Sequence, residues 1–190
     1  MAVRLEVEEI PGGIPAGKVA MWWFLASEIM MFGGLITCYI VFRLGGSGWA
    51  EASNHLSMTL AATNTLVLLT SSYTIVQAFV AAERGSAPAL RRHLGLTILG
   101  GLIFLGIKAV EYTTEIRAGF TPDAGIFWSF YYTMTGLHAL HVMGGLVVNG
   151  VVLLTAGTAI KHPHRVELAG LYWHFVDVVW IFLFPLLYLA

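Results

Sequence analysis

Five apolar stretches, at about residues 19–42, 56–81, 94–114, 126–157 and 168–189, decide what this chain can become. The hydrocarbon core of a bilayer is about 30 Å thick, and a helix needs roughly 20 apolar residues to cross it. Each stretch meets that length. In lipid every backbone N–H and C=O must be satisfied within the protein, which for separate apolar runs of this length means helices. With 57% of its 190 residues hydrophobic and 11% charged, the chain reads as a membrane protein. The expected fold class is all-α, a bundle of five transmembrane helices.

The connecting pieces carry the breakers and the charges: "RLGGSGWAEASN", "ERGSAPALRRH", "EIRAGFTPDAG" and "KHPHRVE". None is long enough for a soluble domain, so residues 19–190 are expected to form one membrane domain behind a segment, 1–18, on the cytoplasmic side. That segment, "MAVRLEVEEIPGGIPAGK", is acidic and broken by Pro and Gly, unlike the basic start of a cleavable signal peptide, and is expected to stay attached. Five spans put Arg4, Lys18, Arg84, Arg91, Arg92, Lys161 and Arg165 on one side and Arg43 and Arg117 on the other. Basic residues favour the cytoplasm, so the N-terminus is expected inside and the C-terminus in the periplasm. A formal net charge of -1 argues against nucleic acid, and Cys38, alone in the chain, can form no intrachain disulfide.

Charged groups in hydrocarbon cost at least about 2.5–3.5 kcal/mol each, so those inside the spans should face protein, water or a lipid-filled cleft. Counted from the cytoplasmic ends of their apolar stretches, Glu28 and Asp177 each lie nine residues in, roughly 14 Å. His174 precedes Asp177 by three, on a neighbouring face of the last helix. This suggests that Glu28, His174 and Asp177 form a polar knot between the first and last helices. A proton-holding or lipid-headgroup site and a purely structural hydrogen-bonded acid are both compatible with that pattern. His138 and His141, three apart in the fourth span, invite a metal or haem reading, but they sit at a different depth from His174. No Cys/His/Asp set supplies a coordination sphere, and packing histidines are the simpler account. Lys108 and Glu111 are spaced for an ion pair near the outer end of the third span, where long side chains can snorkel to water. The hydroxyl-rich second span, "LSMTLAATNTLVLLTSSYTIVQAF", favours close helix packing, with its hydroxyls returned to backbone carbonyls.

The strings "MWWFLASEIMMFGG", "NTLVLLTSS", "KAVEY", "TPDAGIFWSFYYTMTGLHALHVMGG" and "YWHFVDVVWIFLFPLLYL" occur in an order that resembles subunit III of the haem-copper oxygen reductases. The resemblance covers about residues 19–189 and corresponds to the compact five-helix bacterial form, without the first two helices of the seven-helix form. It implies a non-catalytic accessory subunit of a terminal oxidase in the bacterial cytoplasmic membrane. Such a subunit flanks subunit I near subunit II, holds structural phospholipid, sustains proton uptake and protects the oxygen-reducing centre. No haem or copper is implied on this chain, because the redox centres belong to the partner subunits. The motifs carry over buried polar positions at Glu28, the family's carbodiimide-reactive glutamate, and at His138, His141, His174 and Asp177. Lys108, Glu111 and Asp123 match less distinctive positions, and none of these residues is given a catalytic step. The V-shaped lipid cleft of the long form loses one wall with the missing helices, leaving a place for lipid or another small subunit. The related small subunit of nitric oxide reductases, and a haem b anchor using His138 or His141 with His174, are the competing identities.

Overall fold

A computed structural model of the protein describes residues 16–46 and 48–189; most of the expected N-terminal segment lies outside the described residues. Five long helices carry the fold: α1 (Ala16–Gly45), α3 (Met58–Glu83), α4 (Ala87–Arg117), α5 (Ile126–Leu154) and α7 (His164–Tyr188). Each is long and apolar enough to cross a membrane. Two short pieces, α2 (Trp49–Ser53) and α6 (Ala156–Ala159), lie in the connections. The all-helical five-span expectation is met, and α1, α4 and α7 begin before their apolar stretches, because polar and charged residues extend them beyond the hydrocarbon.

Local chemistry sets the helix ends. Ser57 caps α3, its hydroxyl accepting from the Leu60 amide at 3.4 Å. The α3–α4 turn is closed by Gly85, at φ 68°, with Ser86 N–H donating to the Ala81 carbonyl at 2.9 Å. Gly119, at φ 90°, ends α4 in the same way, and Phe120 N–H reaches the Glu115 carbonyl. Both are left-handed glycine stops that satisfy carbonyls a helix would otherwise leave open. Pro185 sits in the last turn of α7, and beside it the Leu186 carbonyl accepts from the Tyr39 hydroxyl of α1 at 2.8 Å.

Small residues let the helices approach. A Cβ on Gly100 of α4 would lie 2.7 Å from Cβ of Ser71 on α3. The Trp173 indole of α7 wedges between α4 and α5, so that a Cβ on Gly101 or Gly145 would stand 2.7 or 2.6 Å from its ring. Its Nε1 donates to the Ser71 hydroxyl at 3.0 Å. The hydroxyls of Thr63, Thr65, Thr70, Ser71 and Thr74 return to backbone carbonyls within α3, as its sequence suggests. By contrast α1 is lightly held. Its fully buried residues are Leu25, Phe32 and Tyr39, one every seven residues, and the rest of the helix is turned outward or partly covered.

Candidate functional site

Three polar groupings cross-link the spans, and each is assembled from residues far apart in sequence. The first joins α1 to α5. Nε2 of His141 lies 2.9 Å from the Glu28 carboxylate, and Nδ1 lies 2.8 Å from the Leu137 carbonyl. A carbonyl can only accept, so Nδ1 carries a hydrogen and Nε2 is left to exchange one proton with Glu28. Phe32 packs edge-on against the imidazole at 5.2 Å, and the Tyr172 hydroxyl donates to the His141 carbonyl at 3.1 Å.

This arrangement corrects the expected knot of Glu28 with His174 and Asp177. Glu28 and Asp177 lie at similar distances along their helices, 12 residues from the start of α1 (28 − 16) and 13 from the start of α7 (177 − 164). Depth leaves direction around the helix open. At 3.6 residues per turn, Glu28 falls on one flank of the Leu25–Phe32 stripe and turns to α5, while Trp22, Ile29 and Gly33 fall on the flank toward α7. His174 instead bonds Ser72 of α3, with Nδ1 2.7 Å from the hydroxyl. Asp177 is buried behind it, one carboxyl oxygen 4.0 Å from Nδ1, and neither oxygen has a hydrogen-bond partner among the described residues.

The second grouping lies toward the C-terminal ends of α4 and α7 and the N-terminal end of α5. The Lys108 ammonium donates to Glu111 at 2.9 Å, Tyr131 at 3.2 Å and Tyr188 at 2.8 Å, using all three of its hydrogens. The Tyr188 hydroxyl donates in turn to the other Glu111 oxygen at 2.7 Å. Rings of Tyr112, Tyr131, Trp180 and Tyr188 surround the nitrogen at 4.9–5.5 Å. The expected i,i+3 pair is present, but snorkelling is not: Lys108 and Glu111 are 3% and 1% exposed. Phenols and rings take the place of water. Tyr131 and Tyr188 are the members that sequence reasoning passed over. A buried ammonium needs three acceptors, and these two tyrosines are available at its depth on neighbouring spans.

His138 is wholly buried, its ring between those of Phe104 and Trp180 at 5.4 Å from each. Asp123 departs from the other motif positions: it lies exposed in the turn before α5, where the Thr121 hydroxyl holds its carboxyl below the usual range.

The donors do not fit a haem held by this chain. His141 has both ring nitrogens engaged and His138 is boxed by aromatic rings, which leaves His174 without a second imidazole to share a haem. Among the described residues no three His, Cys, Asp or Glu side chains gather closely enough to hold a metal ion.

Hollows open between neighbouring long helices of the described bundle. A cleft of about 600 Å³ lies between α1 and α7, with Trp22, Phe32, Phe175 and Phe182 among its walls and His174 at its edge. A shallower furrow of about 370 Å³ runs between α3 and α4, past Thr63, Thr70 and Gly100.

The profile of one family, described as cytochrome c oxidase subunit III, matches residues 13–190. Cytochrome c oxidase subunit 3 of Corynebacterium diphtheriae is 40% identical over 184 residues, covering 94% of this chain and 88% of that protein. The probable cytochrome c oxidase subunit 3 of Mycobacterium tuberculosis is 36% identical over 182 residues, covering 94% and 88%. Cytochrome c oxidase subunit 3 of Thermostichus vulcanus is 37% identical over 171 residues, covering 87% and 83%.

Proposed function

On the premise that the chain belongs to the cytochrome c oxidase subunit III family, we propose that it is a non-catalytic accessory subunit of a haem-copper terminal oxidase in the bacterial cytoplasmic membrane. In this reading it packs beside subunit I, near subunit II, with its N-terminus cytoplasmic and its C-terminus periplasmic, and haem and copper reside on those partners. It stabilises subunit I, holds phospholipid and sustains proton uptake. A further small membrane subunit has room beside α1, whose outward face is the least covered by the bundle.

One observation carries the non-catalytic reading. Most of the ionisable side chains within the spans are committed to each other or to hydroxyls across helix interfaces, as Glu28 with His141, Lys108 with Glu111 and Tyr188, and His174 with Ser72, while His138 and Asp177 are buried singly on different helices. Groups used this way fix register; they do not converge on a point where a substrate could react. Phospholipid chains suit the α3–α4 furrow, because the Thr63 and Thr70 hydroxyls already donate to their own backbone and leave it effectively apolar. The relatives' description as parts of cytochrome c oxidase favours that complex over nitric oxide reductase.

The test is purification on a tag fused to the N-terminus, followed by identification of the large partner and a reduced-minus-oxidised spectrum of the separated chain. A haem-copper catalytic subunit in the eluate and a spectrum without haem bands are expected. A chain that purifies alone, or one that carries its own haem band, overturns the reading.

A further inference from the structure

We propose that the cleft between α1 and α7 is a binding site for an isoprenoid quinone or quinol, its ring hydrogen-bonded to Nε2 of His174 and its tail leaving into the bilayer. The proposal rests on the reading of the chain as part of a respiratory oxidase, and it concerns binding only.

The cleft's size, about 600 Å³, falls in the range of small-molecule sites. Its walls are apolar, and Trp22, Phe32, Phe175 and Phe182 offer flat faces for a ring. Three lining side chains carry polar atoms, Trp22, Thr37 and His174. The Thr37 hydroxyl is committed, donating to the Gly33 carbonyl at 2.7 Å. His174 is anchored from behind: Nδ1 meets Ser72 at 2.7 Å, and Asp177 stands 4.0 Å from the same nitrogen. Its side chain is nevertheless 40% exposed. Nε2 is therefore left for an occupant, held in place by a serine on another helix, and unlike the Trp22 indole N–H it can accept as well as donate.

Depth selects the chemistry of that occupant. His174 lies six residues inside the apolar stretch that begins at residue 168 (174 − 168), about 9 Å along the helix. A phospholipid phosphate drawn to that depth would carry its charge into hydrocarbon, and an acyl chain offers an imidazole nothing. A quinone ring is uncharged and flat, with carbonyl oxygens that accept; a quinol has hydroxyls that donate. The Ser72 contact lets the imidazole answer either. With the serine donating to Nδ1, Nε2–H donates to a quinone carbonyl. With Nδ1–H donating to the serine, Nε2 accepts from a quinol hydroxyl.

The experiment uses the assembled oxidase, purified in mild detergent and irradiated with an azido-quinone bearing a short tail. Label is expected on peptides of α1 and α7, and excess decyl-quinone should remove it. His174→Leu should lower the labelling by at least about tenfold, a loss of roughly one hydrogen bond's worth of affinity. Val178→Trp, which fills the cleft without touching Ser72, should abolish it. Labelling that is unchanged in both variants overturns the proposal, as does a photoreactive phospholipid that takes the cleft and resists decyl-quinone. The ratio of this subunit to the catalytic subunit is measured in every preparation. A constant ratio with no quinone label rejects the quinone site alone, whereas absence of a catalytic partner rejects the oxidase reading beneath it.

Discussion

The Lys108 ammonium and the Tyr188 hydroxyl lie 2.8 Å apart, 80 residues from each other in the chain, and the same hydroxyl returns its hydrogen to Glu111. Tyr188 therefore closes a ring of charge-assisted hydrogen bonds that ties the last turn of α7 to α4. Removing its oxygen opens that ring on both sides. Tyr188→Phe should destabilise the bundle by about 1–3 kcal/mol, the cost of leaving buried charged groups short of a partner. The temperature at which helical circular dichroism is lost in detergent should fall, and more than in Tyr131→Phe, where a single longer bond disappears.

The ion pair itself predicts an asymmetry. Lys108→Met strands the Glu111 carboxylate among aromatic rings, and breaking a buried pair costs about 3–5 kcal/mol. The double variant Lys108→Met with Glu111→Leu replaces both partners with apolar groups and should recover most of that loss. Chemical denaturation of the three proteins side by side measures the coupling; a double variant no better than the single would show that packing, not charge, sets the cost.

Gly145 and Gly34 form a matched pair of probes. A Cβ on Gly145 would meet the Trp173 ring at 2.6 Å, so Gly145→Ala should cost about 1–3 kcal/mol by forcing the indole out of its slot. Gly34 has nothing within 4 Å of the same position, and Gly34→Ala should be neutral or slightly stabilising. Retention of the subunit through repeated detergent washes should drop for the first and hold for the second.

For Glu28 and His141 the order of severity is the prediction. Glu28→Gln keeps a group that can hydrogen-bond Nε2, so α1 should stay docked. His141→Leu leaves an acid at mid-membrane depth without its partner, at a cost of several kcal/mol. Disulfide trapping between cysteines introduced on α1 and α5 reads the docking directly: efficient in Glu28→Gln, diminished in His141→Leu.

Span number and the approximate placement of the spans are readable because they depend on hydropathy and turn chemistry. The hydroxyls of α3 were equally legible, since a threonine can find its carbonyl partner within its own helix. Partnership between helices was not. Glu28 met His141 instead of Asp177 because rotation around α1 is decided by where Leu25, Phe32 and Tyr39 seat, and those seats are built by α5 and α7. Lys108 was misplaced toward water for a related reason. Its cage is contributed by Tyr131 and Tyr188, and a single helix gives no sign that phenols will arrive from two others. Asp123 was misjudged in the other direction, a loop residue carried along by the motif next to it.

The attachments of α1 reach far along the chain: Glu28 to His141 spans 113 residues, and Tyr39 to Leu186 spans 147. The earliest of the five described spans thus has its anchors on the last two of them. Neither anchor exists until α5 has been made, so the α3–α4 hairpin is available to close first, and the second anchor waits for α7. A ribosome that stops short of α7 releases a bundle in which α1 lacks that second anchor, and quality control in the membrane has there a ready mark by which to tell an unfinished chain from a finished one.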